Sequence, residues 1–335
     1  MSEKQVLAVD YGASGGRVML GGFDGASFTI SELHRFPNDP VKLGDTMYWD
    51  VLRLYFEMKQ GIVKSKAYGA ISGIGVDTWG VDFGLLDREG RLLDNPVHYR
   101  DGRTAGMMEK TLKMVGRDPL YELTGNQLME LNTLFQLMAV KERRPELLER
   151  ADALLLMPDL FQYFLSGAKI SEKSIASTTQ MMDMRQGEWA FGLLETLGLQ
   201  TGMMRDILPG AVRTGSLRPE IQKELGVPAM EVIAVAGHDT QSAMAAIPAR
   251  EEDFLFISCG TWGLFGTELP EPVISEMSKK FNITNEAGLE GKYAFLKNII
   301  GLWLIQESRR QWIREGKEYG FGELETKAAC TEPLK

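Results

Sequence analysis

The sequence predicts an α/β protein of about two domains, on the strength of two observations. Short apolar runs alternate with longer segments of helical spacing along the 335 residues, a length that suits about two domains. An arrangement of strand, small polar turn and strand occurs at residues 5–23 and again at residues 254–265. The two copies predict a duplicated architecture. The short polar segment at residues 248–252 divides the chain into expected domains at residues 1–247 and 253–335.

Strands and helices are predicted from the spacing of apolar residues. Three strand-like runs open the chain as a meander, and the first helix follows where Leu54, Met58 and Ile62 recur at helical spacing after Asp50. Pro145 separates two later helices. The expected strands are residues 5–10, 17–23, 27–36, 71–79, 81–86, 153–156, 232–236 and 254–257, with a further strand through residue 265. The expected helices are residues 49–66, 102–115, 133–144, 146–151, 159–165, 188–197 and 239–247.

Composition and charge argue against several classes of function. The formal net charge is −9 and no basic block occurs, which argues against a nucleic-acid partner. The longest apolar stretches are too short to span a bilayer, and the N-terminus lacks the pattern of a signal peptide. Cys259 and Cys330 have no metal-site or disulfide spacing, and the histidines are far apart, so no zinc site is expected. The 36 glycines and 18 methionines of this cysteine-poor chain suit a reducing cytoplasm.

The turn after the first strand is a candidate anion site. Asp10 ends an apolar run, and small residues from Gly12 to Gly16 lead through Arg17 into the next run. Small residues let backbone N–H groups close around an anion, and a carboxylate at a strand end can hold a hydrated Mg²⁺. The alternative is an ordinary hairpin with a glycine-rich turn. The segment also matches G-x-S-x-G, but a hydrolase elbow is disfavoured because a strand follows it.

The segment Gly237-His238-Asp239-Thr240 is the best catalytic candidate. It follows an apolar strand and opens a helix, where free N–H groups are available. The functional interpretation makes Asp239 a base that accepts a proton from a sugar hydroxyl during phosphoryl transfer. The alternative is a helix cap, which spacing alone favours.

Two acidic segments carry weaker signals. Asp77 and Asp82 lie on either side of Gly80, but their spacing does not require the two carboxylates to converge. They are interpreted as a polar wall for a sugar with Trp79 as its flat apolar surface, or as a hairpin with an acidic exposed side. Residues 101–103 carry an aspartate and an arginine, for which a surface ion pair is expected.

The second domain repeats the small polar turn. Residues 258–263 offer a hydroxyl and amides without charge, which suits a γ-phosphoryl group. With the first turn, this arrangement predicts a nucleotide gripped from both sides. Asn298 and Gln306 are eight residues apart, and on one helix they would lie two turns apart on nearly one face. They are interpreted as an adenosine wall or as ordinary amides of a partly exposed helix.

Taken together, these segments resemble the FGGY family of carbohydrate kinases, over almost the whole chain. The resemblance rests on the spacing from Asp10 to Arg17, the aspartate and arginine of residues 101–103, and the segments at 237–239 and 258–261. The sequences DTWGVDF at residues 77–83 and LKNIIGLWL at residues 296–304 are specific. They are similar to family members that phosphorylate L-rhamnulose.

The resemblance implies an actin/hexokinase-like (ribonuclease H-like) fold of two α/β domains with a cleft between them. It implies that ATP phosphorylates the 1-hydroxyl of L-rhamnulose with Mg²⁺, and Asp10 is expected to hold that ion through water. By position, it implies ATP contacts for Ala13, Ser14, Gly15, Gly16, Arg17, Thr261, Asn298 and Gln306. It implies substrate contacts for Gly80, His238, Asp239 and Thr240, with Asp239 as the proton acceptor.

The resemblance also implies that family members continue past the position of Lys335 into another glycine-rich loop, which holds the adenosine. The second domain is therefore expected to be truncated. Two alternatives stay open: a kinase for another ketose or polyol, or a non-catalytic remnant that binds sugar or nucleotide.

Overall fold

The structure is a computed structural model that describes residues 4–251 and 253–332, so Glu252 of the expected boundary lies outside the described residues. The strands are β1 (Lys4–Gly12), β2 (Gly15–Phe23), β3 (Phe28–Pro37), β4 (Val41–Leu43), β5 (Thr46–Tyr48), β6 (Gly73–Thr78), β7 (Phe83–Leu86), β8 (Ala153–Leu156), β9 (Ser171–Glu172), β10 (Met182–Asp183), β11 (Glu188–Trp189), β12 (Ile207–Leu208), β13 (Val212–Ser216), β14 (Glu231–Ala234), β15 (Phe256–Cys259), β16 (Trp262–Leu269), β17 (Thr284–Ala287) and β18 (Tyr293–Ile300).

The helices are α1 (Val51–Ser65), α2 (Met107–Val115), α3 (Arg117–Thr124), α4 (Thr133–Arg143), α5 (Pro145–Arg150), α6 (Met157–Ser166), α7 (Lys173–Ala176), α8 (Phe191–Thr196), α9 (Pro219–Leu225), α10 (Asp239–Ala245), α11 (Glu276–Phe281), α12 (Trp303–Arg314) and α13 (Phe321–Ala329). Short 3-10 turns lie at Lys66–Tyr68, Gly102–Thr104 and Leu289–Gly291. No helix within the described ranges is long and apolar enough to cross a membrane.

A six-stranded sheet forms the centre of the first domain, in the order β13-β14-β6-β1-β2-β3. β1, β2 and β3 pair antiparallel, which confirms the predicted meander. β6 and β14 join in parallel, so their carboxyl ends lie at the same edge of the sheet as the end of β1. In this register Asp10 is opposite Asp77, and Thr78 bridges to His238. Three segments that are distant in sequence therefore meet at one edge.

Helix α1 packs against the strands of the meander. Leu54, Met58 and Ile62 are buried at helical spacing, and each such side chain contributes about 1.5–3 kcal/mol relative to exposure. A Cβ at Gly61 would lie 2.4 Å from the side chain of Val18. The helix therefore approaches β2 closely where Gly61 leaves room for it.

The antiparallel pair β7–β8 and helices α2 to α5, α7 and α8 form a helical lobe with its own apolar core. Leu134, Phe135 and Leu154 are buried in this core. Ala287 and Tyr293, which follow the expected domain boundary, belong to the same core. The helical lobe is therefore packed against the second domain as well as the first.

The second domain contains a four-stranded antiparallel sheet in the order β15-β16-β18-β17. Its own core is small and includes Phe256, Leu264 and Leu296. Large apolar side chains on β18 and α12 are exposed, among them Ile300 and Leu304. The described residues thus leave an apolar face of this domain uncovered.

The structure corrects four of the expectations about secondary structure. The helix expected at residues 102–115 is a 3-10 turn followed by α2, because Gly106 between them has a φ of 76°. Segment 188–197 begins with β11 before α8 starts, and the strand expected at 254–257 is β15, which begins at Phe256. Asn298 lies on β18 and Gln306 on α12, so the expectation of one shared helix is wrong. Pairing of β18 with β16 imposes the extended conformation on Asn298.

Candidate active site

A cavity of about 870 Å³ lies where the carboxyl edge of the six-stranded sheet faces the β15–β16 hairpin. Residues from both expected domains line it. All the site residues implied by the family resemblance line this one cavity: Asp10, Ala13, Ser14, Gly15, Gly16, Arg17, Gly80, His238, Asp239, Thr240, Thr261, Asn298 and Gln306. The fold therefore gathers these residues, whatever role each has.

The first glycine-rich turn is the tip of the β1–β2 hairpin. Gly12 pairs with Gly15, and a Cβ at Gly16 would lie 2.4 Å from the ring of Phe36. The turn is thus a hairpin turn and also part of the cavity wall, so the two interpretations of its sequence are compatible. Its glycines let the backbone pack tightly and leave amides without side-chain cover.

Asp10 and Arg17 form an ion pair at the base of this turn. Arg17 Nε lies 3.0 Å from Asp10 Oδ2, and the aspartate side chain is 32% exposed. Burial raises the pKa of Asp10, and the charges of Arg17 and Arg35 lower it in part. The cavity wall therefore carries a carboxylate paired with a guanidinium. A guanidinium can bind a phosphate group and a carboxylate can bind the accompanying metal ion, so the pair suits a polyphosphate with its counter-ion.

Buried Glu172 holds the turn that carries the catalytic candidate. Its Oε2 accepts a hydrogen bond from Gly237 N–H at 2.8 Å, and Ser174 Oγ accepts from His238 N–H at 3.1 Å. A Cβ at Gly237 would lie 2.9 Å from Pro158 and 3.0 Å from Glu172. The turn is thus fixed by hydrogen bonds from a neighbouring segment and by the absence of a side chain at Gly237.

Asp239 begins α10, and the N-cap residue of that helix is His238. Asp239 Oδ1 accepts a hydrogen bond from Thr240 N–H at 2.6 Å, and 35% of its side chain is exposed in the cavity wall. Burial raises the pKa of Asp239, His238 lowers it and Asp10 raises it, with a net rise. A carboxylate with a raised pKa at a cavity wall has the properties of a general base.

Three further titratable side chains, His238, Glu286 and Asp77, line the same cavity as Asp239. His238 Nδ1 lies 3.1 Å from Oε2 of Glu286, a buried residue of β17 that also lines the cavity. Asp77 lines the cavity too, and its pKa is held well above the usual range by burial and by the charges of Asp10 and Asp239. No cluster within the described part of the chain has three or more acidic, histidine or cysteine ligands able to hold a metal by themselves.

Asp82 supports the cavity wall from behind. Its Oδ2 accepts hydrogen bonds from the indole N–H groups of Trp49 at 2.6 Å and Trp79 at 3.0 Å, and Oδ1 accepts from Gln136. Burial raises the pKa of Asp82 to about 6, although these hydrogen bonds lower it. The interpretation of Asp82 as part of an exposed acidic face or a sugar wall is therefore wrong, because indole and amide donors surround its carboxylate.

The expectation of a surface ion pair at residues 101–103 is also wrong. Asp101 is buried and accepts hydrogen bonds from the backbone N–H groups of Met47 and Arg103. The guanidinium of Arg103 donates instead to Gln136 Oε1 at 2.6 Å. These two residues therefore cap a 3-10 turn and brace Gln136.

The second small polar turn, between β15 and β16, is held by α12. Leu302 and Trp303 donate backbone hydrogen bonds to the carbonyl oxygens of Gly260 and Thr261, at 2.9 and 3.2 Å. A Cβ at Gly301 would lie within 2.7 Å of backbone atoms of this turn. Thr261 Oγ1 and Gln306 Oε1 are 3.3 Å apart. Gln306 thus reaches the cavity from α12, whereas Asn298 reaches it from β18.

Several cavity contacts join the two domains. Asn298 N–H donates to Gln127 Oε1 at 3.0 Å, and the guanidinium of Arg100 lies over the rings of Trp262 and Trp303 at 4.8 and 4.5 Å. Cation–π stacking of this kind is worth about 0.5–2 kcal/mol. These contacts hold the second polar turn close to the first domain.

Sequence reasoning missed Asn126, Gln127, Glu172 and Glu286. Each is a buried polar residue, but they occur in segments with no recognisable spacing relative to the other candidates. The polar run Thr284-Asn285-Glu286 inside a buried strand was the one available signal for Glu286, because buried carboxylates need partners.

The comparisons with known proteins agree with this geometry. The N-terminal domain of the FGGY family of carbohydrate kinases matches residues 6–246, and the C-terminal domain of that family matches residues 255–334. The chain belongs to the FGGY family of carbohydrate kinases.

Individual relatives are more specific. The chain is 41% identical to a rhamnulokinase from Bacteroides thetaiotaomicron, over 99% of this chain and 68% of that protein. It is 42% identical to a rhamnulokinase from Oceanobacillus iheyensis, over 91% of this chain and 65% of that protein. The chain thus spans about two thirds of the length of these curated relatives.

Solved structures show the same fold at low sequence identity. A xylulose kinase from Lactobacillus acidophilus superposes with a TM-score of 0.78 and 16% identity, over 91% of this chain and 62% of that chain. A glycerol kinase from Plasmodium falciparum superposes with a TM-score of 0.73 and 16% identity, over 91% of this chain and 64% of that chain. The actin/hexokinase-like two-domain fold expected from the sequence is confirmed.

Proposed function

We propose that this chain supplies the sugar site and the first nucleotide contacts of an ATP-dependent kinase. The proposed reaction transfers the γ-phosphoryl group of ATP to the 1-hydroxyl of L-rhamnulose, and we place it in the cytoplasm. The identity of 41% and 42% to two rhamnulokinases supports the choice of sugar. The proposed domain division, at residues 1–247 and 253–335, places the cavity between the two parts.

The main support is that Asp239 and both small polar turns line one cavity. Phosphoryl transfer to an alcohol needs a proton acceptor for the hydroxyl and donors around the transferred group, within one enclosed site. Asp239 supplies the acceptor, and the amides of residues 12–16 and 260–261 supply the donors. Gly80, His238 and Thr240 form the sugar side of the same wall, and Gln306 and Asn298 the nucleotide side.

The proton would move from the sugar hydroxyl to a carboxylate oxygen of Asp239. Asp239 Oδ1 already accepts from Thr240 N–H, so the carboxylate is oriented before the sugar binds. The charge of Asp10 raises the pKa of Asp239, which strengthens it as a base. Glu286 Oε2, 3.1 Å from His238 Nδ1, places a carboxylate against the imidazole next to Asp239.

The residues present fit a hydrated Mg²⁺ near Asp10. A magnesium ion keeps several waters and takes one or two protein carboxylates plus phosphate oxygens, so the single carboxylate of Asp10 is enough. The ion would neutralise charge on the phosphates. Arg17, already paired with Asp10, is positioned to add a second positive charge.

The deciding experiment measures ADP release by a coupled assay with L-rhamnulose, L-fuculose, xylulose and glycerol. We expect ADP release that requires both ATP and L-rhamnulose, with L-rhamnulose the preferred sugar. Calorimetric titration with each sugar and with ATP is run in parallel. Faster turnover with another compound of the panel would make that compound the preferred substrate in place of L-rhamnulose. Sugar binding with no turnover would refute catalysis by this chain and leave a binding role.

A further inference from the structure

A buried carboxamide at the cavity wall has an unused acceptor. Asn126 is 2% exposed and lines the same cavity as Asp239. Its Nδ2 donates to the carbonyl oxygens of Ser177 at 2.9 Å and Asn285 at 3.0 Å, and to Thr284 Oγ1 at 3.3 Å. Its Oδ1 is buried and has no hydrogen-bond partner among the described residues.

The orientation of this amide is determined by its neighbours. Two carbonyl oxygens are acceptors only, so the arm of the carboxamide that faces them must be the NH₂ group. A flipped amide would place Oδ1 against these acceptors and lose the hydrogen bonds. Oδ1 is therefore the polar atom left on the other arm, and an unsatisfied buried acceptor costs stability until a donor reaches it.

Hydrogen bonds on both sides of Asn126 anchor the segment that carries it. The carbonyl oxygen of Gly125 accepts from Asn285 N–H at 2.9 Å and from Asn285 Nδ2 at 3.0 Å. Leu128 N–H donates to Asn282 Oδ1 at 2.8 Å. Asn126 is thus held between the helical lobe and β17 and cannot easily rotate to find another partner.

Asn126 is linked to the segments of Asp239 and Gly80, the proposed sugar contacts, by a chain of contacts. Its partner Asn285 precedes Glu286, Glu286 contacts His238, and His238 precedes Asp239. On its other side, Ser177 precedes Thr178, whose Oγ1 lies near the position a Cβ of Gly80 would take, at 3.4 Å. Two contacts therefore separate Asn126 from the reacting carboxylate.

We propose that Asn126 Oδ1 is a specificity-determining acceptor that receives a hydrogen bond from one sugar hydroxyl other than the one that is phosphorylated. This inference rests on the proposed function, because it requires a polyhydroxylated ligand in the cavity. A carbonyl acceptor can pair only with a donor, so the residue selects a hydroxyl at that position against a hydrogen or a carbonyl.

The test is calorimetric binding to the full chain, which does not depend on turnover. The ligands are the panel sugar that binds best and its analogues that each lack one hydroxyl. We expect the wild-type chain to bind one analogue about 5- to 100-fold more weakly than the parent sugar, as for a lost hydrogen bond to a buried acceptor. In Asn126→Ala, the parent sugar should weaken by a similar factor and the distinction between it and that analogue should disappear.

The matched control is Asn282→Gly, which removes two hydrogen bonds to Leu128 from the same segment and keeps the φ of 51° accessible. Asn282→Gly should still bind the parent sugar more tightly than the analogue that lacks the critical hydroxyl.

If Asn126→Ala does not fold, the binding series with the wild-type chain still decides. Equal binding of all analogues by the wild type, or equal weakening of all ligands in Asn126→Ala, overturns the inference while sugar binding stands. Failure of the wild type to bind any panel sugar overturns the proposed function and this inference together.

Discussion

His238 Nδ1 lies 3.1 Å from Glu286 Oε2, and this contact joins the turn that carries the proposed base to a strand of the second domain. Both residues are buried, so the pair is well shielded from water. Because His238 precedes Asp239 in the chain, the position of the proposed base depends on both domains. The contact explains how a turn on the first sheet is coupled to residues more than forty positions further along.

Removing the proposed base should stop turnover and spare nucleotide binding. Asp239→Asn keeps the shape of the side chain but cannot accept the hydroxyl proton, so kcat should fall by about 10²–10⁴-fold. Coupled ADP detection and calorimetric titration with ATP measure the two effects. Asp24→Asn, at an exposed hairpin turn, is the matched control and should keep wild-type turnover. Near-normal kcat in Asp239→Asn would refute the assignment.

Removing the charge of Glu172 should destabilise the protein. The carboxylate accepts hydrogen bonds from Ser174 N–H, Ser174 Oγ and Gly237 N–H, so Glu172→Gln turns an NH₂ group toward donors. We expect the free energy of unfolding to fall by about 2–4 kcal/mol, measured by urea denaturation. Exposed Glu195→Gln should stay within about 0.5 kcal/mol of the wild type. A Glu172→Gln chain of wild-type stability would contradict this role.

The pair formed by His238 and Glu286 should make stability depend on pH. Burial lowers the pKa of His238, but Glu286, Asp239 and Glu172 raise it further, with a net rise. The stabilisation that protonated His238 contributes is therefore fully present below its pKa in the unfolded chain, about 6.5. It is lost as the pH rises through the higher pKa of His238 in the folded protein. Glu286→Gln should lower the melting temperature by about 3–6 °C at pH 6, with a smaller loss at pH 9.

The control for this pH dependence is Glu323→Gln, at an exposed residue of α13. Thermal melting of both variants is compared with the wild type from pH 6 to pH 9. A loss for Glu286→Gln that is the same at every pH would show that the imidazole is not charged in the folded protein.

A methyl group at Gly301 should disrupt the second polar turn. The added Cβ would lie 2.6 Å from Gly263 N and 2.7 Å from the carbonyl oxygen of Gly260, where backbone cannot move aside. We expect Gly301→Ala to cost about 2–3 kcal/mol of stability and to weaken ATP binding, measured by thermal melting and calorimetry. At exposed Gly202 a Cβ meets nothing within 4 Å, so Gly202→Ala should change neither the stability nor ATP binding. Equal stability and equal ATP affinity of the two variants would refute the packing argument.

The sequence predicted the elements of the first domain well where apolar periodicity was strong. The meander, α1 and the strand before His238 lie close to their expected positions. Helices α3, α7, α9, α11 and α13 were not predicted, because segments of four to nine residues are too short to show a clear helical period of apolar residues. Asn298 was placed on one helix with Gln306, although the β-branched Ile299 and Ile300 that follow it favour the strand that β18 forms with β16.

By itself, the sequence determined which residue types stand at the ends of strands: Asp10 after β1's apolar run, Asp239 after β14, and glycines where the backbone must pass close to other atoms. Local chemistry is enough for that, because strand ends and tight turns depend on neighbouring residues. Only the tertiary structure decided that Asp82 supports the wall from behind, that Glu286 and Asn126 line the cavity, and that Glu172 holds the turn before Asp239. Their roles depend on partners in other segments, and spacing along one chain does not encode such contacts.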